Sequence, residues 1–140
     1  MRILLVEDNG GDARLVVEAL KECDVPTTVT IVNDGLQVMA YLQHEEPYQQ
    51  AVHPDVILLD LNLPRKDGRE VLQEIKTDPA LKTIPVIILT SSEADEDVLS
   101  TYANGASCYV VKPMALTEYF GVIRDLVAFW GTRVRLPVVA

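Results

Sequence analysis

Residues 56–68 read VILLDLNLPRKDG, and the first four of them decide the fold. Four consecutive apolar side chains leave no polar face. A strand formed here must be covered on both sides, as in a parallel sheet packed between helices. Residues 3–6 (ILLV) and 86–89 (VIIL) are unbroken in the same way. Residues 27–32 (TTVTIV) instead alternate, and 107–111 (SCYVV) are only half apolar, which suits strands with one face near solvent. The pattern therefore predicts five strands, three central and two at the edges.

Helix-period segments fall between these strands. Residues 11–23 carry Ala13, Val16, Val17 and Leu20 on one face. Further helices are expected near 35–44, 67–77, 93–103 and 114–130, the last with a stripe of Leu116, Phe120, Ile123, Val127 and Trp130. Asn33-Asp34-Gly35 supplies a turn, Asp67-Gly68 a helix start, and Thr77-Asp78-Pro79 and Asn104-Gly105 supply stops. The order βαβαβαβαβα predicts an α/β domain with a parallel sheet and right-handed crossovers. A known doubly wound arrangement, strand order 2-1-3-4-5, puts strands two and five at the edges. In that arrangement the ligand site lies at the carboxyl ends of strands one and three.

The chain has 140 residues, enough for one domain with a sizeable core: 49% are apolar and 24% charged. The expected division is a domain over 1–131 and a tail over 132–140 (TRVRLPVVA) that is apolar for a terminus. Acids outnumber bases 21 to 12, a net charge of −9. That balance argues against a nucleic-acid partner, which needs a basic face. Cys23 and Cys108 lack ligand-like spacing and read as small buried groups. No apolar run approaches the roughly 20 residues of a transmembrane helix, and no signal-peptide core stands at the start, so a cytoplasmic protein without a membrane partner is expected. His44 and His53, in the polar connection 43–54, read as solvated surface histidines.

Polar residues close the apolar strands at their carboxyl ends. Glu7 and Asp8 follow strand one; Asp60 ends strand three, with Asn62 two residues on; Thr90 ends strand four and Lys112 strand five. Each alone is an ordinary boundary residue. Together they converge on one rim of the sheet. Three carboxylates held close repel one another and recruit a cation. An all-oxygen set with no His or Cys points to a hard ion such as Mg²⁺. Beside a metal, a hydroxyl and an ammonium, Asp60 would act as nucleophile towards phosphorus, with Thr90 and Lys112 binding the phosphoryl oxygens.

On the segments LLVEDN (4–9), DLNLPRKDG (60–68), ILTSS (88–92) and YVVKP (109–113), the chain resembles a response-regulator receiver domain of two-component signalling. The resemblance covers essentially the whole chain and implies a flavodoxin-like fold. It implies phosphorylation of Asp60 by a sensor histidine kinase. Mg²⁺ would be held by Asp8, Asp60 and the carbonyl of Asn62, with Glu7 acting through water. It further implies that Thr90 and Tyr109 form a switch, Thr90 moving inward on phosphorylation, that Lys112 pairs with the phosphate, and that Lys112–Pro113 is a cis bond. Ser91 stands where the family commonly has Ala, and its backbone N–H could still serve. Such a protein promotes its own phosphorylation but is not an enzyme with a separate small-molecule product.

Two other classes share parts of this pattern. A haloacid-dehalogenase-type phosphatase also combines Asp, Thr or Ser, Lys and Mg²⁺, but its acid two residues after the nucleophile is here Asn62, which cannot protonate a leaving group. A flavin-mononucleotide module would need N–H donors where Glu7-Asp8-Asn9-Gly10 places anions.

A narrower resemblance rests on GGDARL (10–15), KTDPALKTIPVIILT (76–90) and FWGTRVRLP (129–137). These resemble the single-domain regulators paired with phytochrome-type photoreceptor kinases, which implies light signalling. Phe129, Trp130, Val134, Leu136 and Val138 extend an apolar surface beyond what one small domain needs. A homodimer through the last strand, last helix and tail is the expectation.

Overall fold

The computed structural model describes residues 1–138. Ten elements alternate: β1 (Arg2–Val6), α1 (Gly10–Lys21), β2 (Thr28–Val32), α2 (Gly35–Leu42), β3 (Val56–Leu59), α3 (Gly68–Thr77), β4 (Val86–Thr90), α4 (Asp95–Ala103), β5 (Cys108–Val111) and α5 (Leu116–Thr132). The strands form one parallel sheet in the order β2-β1-β3-β4-β5. The doubly wound α/β expectation is thus met, with β2 and β5 at the edges.

Every residue of β3 and β4 is buried, as their unbroken apolar runs require. Successive side chains of a strand point to opposite faces. Leu4, Val6, Ile57, Leu59, Val86 and Ile88 therefore join one core with α2 and α3. Ile3, Leu5, Val56, Leu58, Ile87 and Leu89 join a second with α1 and α5.

On α5 the buried ridge is Tyr119, Ile123 and Val127, one residue in four, and Leu116 is 55% exposed. The core-facing ridge starts at Tyr119 rather than Leu116, and Phe120 and Trp130 flank it half-buried. On α1 the same shift buries Ala19 and leaves Val17 half-buried. Helix α4 buries only Thr101 and leaves Leu99 and Tyr102 exposed.

Leu136 and Trp130 pack against the second core, so part of the tail closes on its own domain. Leu136 and Pro137 line a cleft with Arg2, Asp55 and Pro85 at the amino ends of β1, β3 and β4. Phe129 and Val138 stay exposed. The last two tail residues, 139 and 140, lie outside the described residues. His44 is exposed as expected, but His53 is half-buried: the two rings meet edge to face at 5.1 Å, and His53 Nδ1 is buried without a partner among the described residues. The cis peptide bond found is Glu46–Pro47, not Lys112–Pro113.

Asp34 and Asp67 cap α2 and α3, accepting backbone N–H groups of the first turn. Gly68 does more than start a helix. A Cβ there would lie 2.3 Å from the Asp60 carbonyl oxygen and 2.6 Å from Leu61 Cα. The α3 backbone thus presses directly on the chain leaving β3. Gly68→Ala is expected to lower the unfolding free energy by roughly 1–3 kcal/mol, the cost of overpacking. Urea melts would show the midpoint falling with the slope unchanged. A midpoint equal to that of the parent protein would mean this contact relaxes freely.

Candidate functional site

Parallel register brings the strand ends level. Val6 pairs with Leu59, Leu59 with Ile88, and Thr90 with Val111. The ladder continues one step past the strands through Asp60 N–H to the Val6 carbonyl (3.1 Å) and Lys112 N–H to the Thr90 carbonyl (2.8 Å). Glu7, Asp60, Thr90 and Lys112 are therefore placed side by side by backbone hydrogen bonds. Their side chains have little freedom left.

Asp60 is the hub. Its Oδ1 accepts from the Thr90 hydroxyl at 2.8 Å and from the Asn62 backbone N–H at 3.2 Å. Its Oδ2 accepts from Lys112 Nζ at 2.8 Å. Lys112 also donates to Glu7 and, at 2.9 Å, to Asp12 Oδ2. Glu7, Asp60 and Thr90 are buried, while Asp8 and Asn62 stand exposed at the rim. Carboxylate oxygens of Glu7, Asp8 and Asp60 all lie within 4.8 Å of one another.

The charges are not balanced. One ammonium faces four carboxyl groups, Glu7, Asp8, Asp12 and Asp60. Burial, then the nearness of Asp60, pushes Glu7 up to about 7 against the pull of Lys112. Burial also opposes the Asp60 charge. Hydrogen bonds from Glu7, Lys112 and Thr90 outweigh it and hold Asp60 below the usual carboxylate range. Lys112 loses hydration on burial, but Asp60, Glu7 and Asp12 keep it charged well above the ordinary lysine range. Three hard oxygen donors crowded together with excess negative charge suit a divalent cation.

The residues singled out from the sequence gather here. Thr90 is fully buried and already turned onto Asp60. Tyr109 lies in β5, and its hydroxyl donates to the Ser92 carbonyl at 2.9 Å, so the ring spans from the edge strand to the loop after Thr90. Asp12 was not legible as a site residue; the run GGDARL carried a family resemblance and no site role. The Tyr119 hydroxyl was also missed. It is buried in the second core with no partner among the described residues, in the field of Lys112 and Asp12.

A second polar network, likewise unread from sequence, ties α3 to α4. The Arg69 guanidinium grips Asp97 through two bonds of 2.7 Å and reaches Asp67 Oδ1 at 2.9 Å. Asp97 also accepts from Ser92 Oγ at 2.6 Å. Arg69, one residue past Gly68, thereby links the backbone beside Asp60 to the loop that Tyr109 touches. Arg69 and then Ser92 hold the Asp97 carboxyl down to about 2.

The model of the response regulator receiver domain family matches residues 3–124. Response regulator Rcp1 of Synechocystis sp. is 47% identical over 135 residues, spanning 96% of this chain and 92% of that protein. The crystal structure of the Mn²⁺-bound form of Rcp1 superposes with a TM-score of 0.94 at 46% identity, covering 98% of this chain and 99% of that one. The crystal structure of the phosphorylated cyanobacterial phytochrome response regulator RcpA gives a TM-score of 0.95 at 47% identity, covering 98% of each.

The Asp97 carboxyl has a folded value near 2 and a model-peptide value of 3.8. Its stabilisation is complete above the higher value and is lost as pH falls through the lower. Asp97→Asn should cost roughly 1–2 kcal/mol at neutral pH, as for a charge-assisted bond. The gap to the parent protein should close between about pH 4 and pH 2. A gap that stays constant across that range in denaturant melts would contradict the Arg69 pairing as its source.

Proposed function

Because the chain belongs to the response regulator receiver domain family, we propose that Asp60 accepts a phosphoryl group from the phosphohistidine of a sensor kinase. One observation carries this reading. The two oxygens of Asp60 are held separately, Oδ1 by Thr90 and Asn62 and Oδ2 by Lys112, and the carboxyl is kept ionised despite burial. An ionised, oriented carboxylate is a nucleophile, and the groups that orient it can also donate to phosphoryl oxygens.

In the transfer, a carboxylate oxygen of Asp60 bonds to phosphorus as the phosphorus–nitrogen bond of the donor histidine breaks. The electron pair returns to the imidazole nitrogen. The product is a mixed anhydride on Asp60. Thr90 and Lys112 then hold the phosphoryl oxygens through their hydroxyl and ammonium hydrogens. The donor set fits Mg²⁺: Asp8 and Asp60 would hold it with the carbonyl of Asn62, and Glu7 would act through water. When bound, the ion supplies positive charge against the transferring phosphoryl group. The Mn²⁺-bound and phosphorylated relatives support both parts of the reading.

Thr90 and Tyr109 form the proposed switch. Thr90 is already inside and Tyr109 already bonded to Ser92, so phosphorylation would tighten an arrangement present beforehand rather than create it. The relationship to phytochrome response regulators supports a phytochrome-type kinase as partner, in the cytoplasm. The domain would comprise 1–131, with 132–140 as a tail. Exposed Val111, Leu116 and Phe129 favour a homodimer through β5 and α5. With Leu136 and Trp130 packed on their own core, the tail would contribute less to it than the sequence implies.

Acetyl phosphate with Mg²⁺ should add one phosphoryl group, read by intact mass. Asp60→Asn or removal of divalent metal should abolish the addition, and Lys112→Ala should slow it about 100-fold. Modification that survives Asp60→Asn would defeat the assignment. Sedimentation should show a dimer, weakened by Phe129→Glu. A monomer at high concentration, with and without beryllofluoride, would remove the homodimer.

A further inference from the structure

An ammonium has three hydrogens to donate. On Lys112 all three go to carboxylates: Glu7, Asp60 and Asp12. Glu7 and Asp60 belong to the acidic cluster that would hold a cation; Asp12 does not. It comes from the first turn of α1, where its backbone N–H is fixed 3.0 Å from Asn9 Oδ1. From there Oδ2 reaches 2.9 Å from Lys112 Nζ, across 100 residues of sequence. Its side chain is 29% exposed against 3% for Glu7 and 8% for Asp60, so it occupies the solvent side of the ammonium.

An incoming phosphoryl group needs one of those three hydrogens. Asp60 releases its hydrogen only as its own oxygen bonds to phosphorus, and Glu7 is buried beneath Lys112. Asp12, on a helix turn open to water, can withdraw beforehand. Its negative charge also lies on the exposed side of the ammonium, where it repels an anionic donor. We propose that Asp12 is a positioning residue: it holds Lys112 in the unphosphorylated protein, competes with the phosphoryl group for that ammonium, and so restrains phosphoryl capture. The inference rests on the reading of Asp60 as acceptor. It assigns to α1 a control over reactivity that the strand-end residues alone do not have.

A merely structural role makes the opposite forecast. Asp12 sits where a helix favours negative charge, so its loss should weaken α1 and leave the site no faster. The test compares Asp12→Asn, Asp12→Ala and Asp12→Glu in the full chain. Phosphorylation is followed from acetyl phosphate, in which the Asp60 oxygen–phosphorus bond forms and acetate leaves with its electron pair. Beryllofluoride affinity is measured by fluorine NMR and Mg²⁺ affinity by calorimetry.

Removing one charge a few ångströms from an incoming dianion should speed capture about three- to tenfold and tighten beryllofluoride similarly in the Asn and Ala variants. Asp12→Glu should stay within about twofold of the parent, and Mg²⁺ affinity in the neutral variants should not rise, since the lost charge would also attract a cation; rates are therefore compared at saturating Mg²⁺. Rates at or below the parent in both neutral variants, at saturating Mg²⁺, would overturn the inference. A parent protein that takes up no phosphoryl group would instead overturn the reading of Asp60, and the inference with it.

Discussion

The buried charge of Lys112 is the constraint around which the site is arranged. An ammonium taken out of water is costly unless every hydrogen finds an acceptor, and here three carboxylates supply them. The reverse holds equally. Glu7 and Asp60 could not lie buried side by side without a cation between them. The result is a set of groups that stabilise one another only together, with negative charge left over. That surplus is what gives a divalent cation a reason to bind and leaves one carboxyl, Glu7, poised near neutrality.

The sheet makes this arrangement possible by simple means. Parallel strands in register end at the same level, and two hydrogen bonds past the strands fix Asp60 and Lys112 against Val6 and Thr90. The close approach of α3 at Gly68 clamps the chain leaving Asp60. From the same turn Arg69 crosses to Asp97, Asp97 holds Ser92, and Ser92 receives Tyr109. A continuous path of contacts therefore runs from the backbone beside Asp60 to the thinly packed helix α4 and the edge strand. Because α4 buries only Thr101, it is the helix least anchored to the core.

What sequence could and could not tell follows the physics of each feature. Strands were legible because burial on both faces forbids polar residues. The strand-end cluster was legible because a carboxylate or ammonium closing an apolar run is conspicuous. The Leu116 stripe misled because periodicity fixes an apolar face only to within about one position, whereas the contact with the sheet selects the Tyr119–Ile123–Val127 ridge. The Arg69–Asp97 clamp left no trace, since charged residues on helices ordinarily face water. Gly68 read as a helix start; its closeness to the Asp60 carbonyl depends on how α3 packs.

The sequence by itself determined the α/β order, the central and edge strands, and six of the polar groups on one rim, because local burial and chain reversal dictate residue type directly. Tertiary structure alone decided that Asp12 joins them, that Thr90 rests against Asp60, and that part of the tail returns to its own core. Those contacts join residues far apart in the chain. Their existence depends on distances that only the packed sheet and helices set.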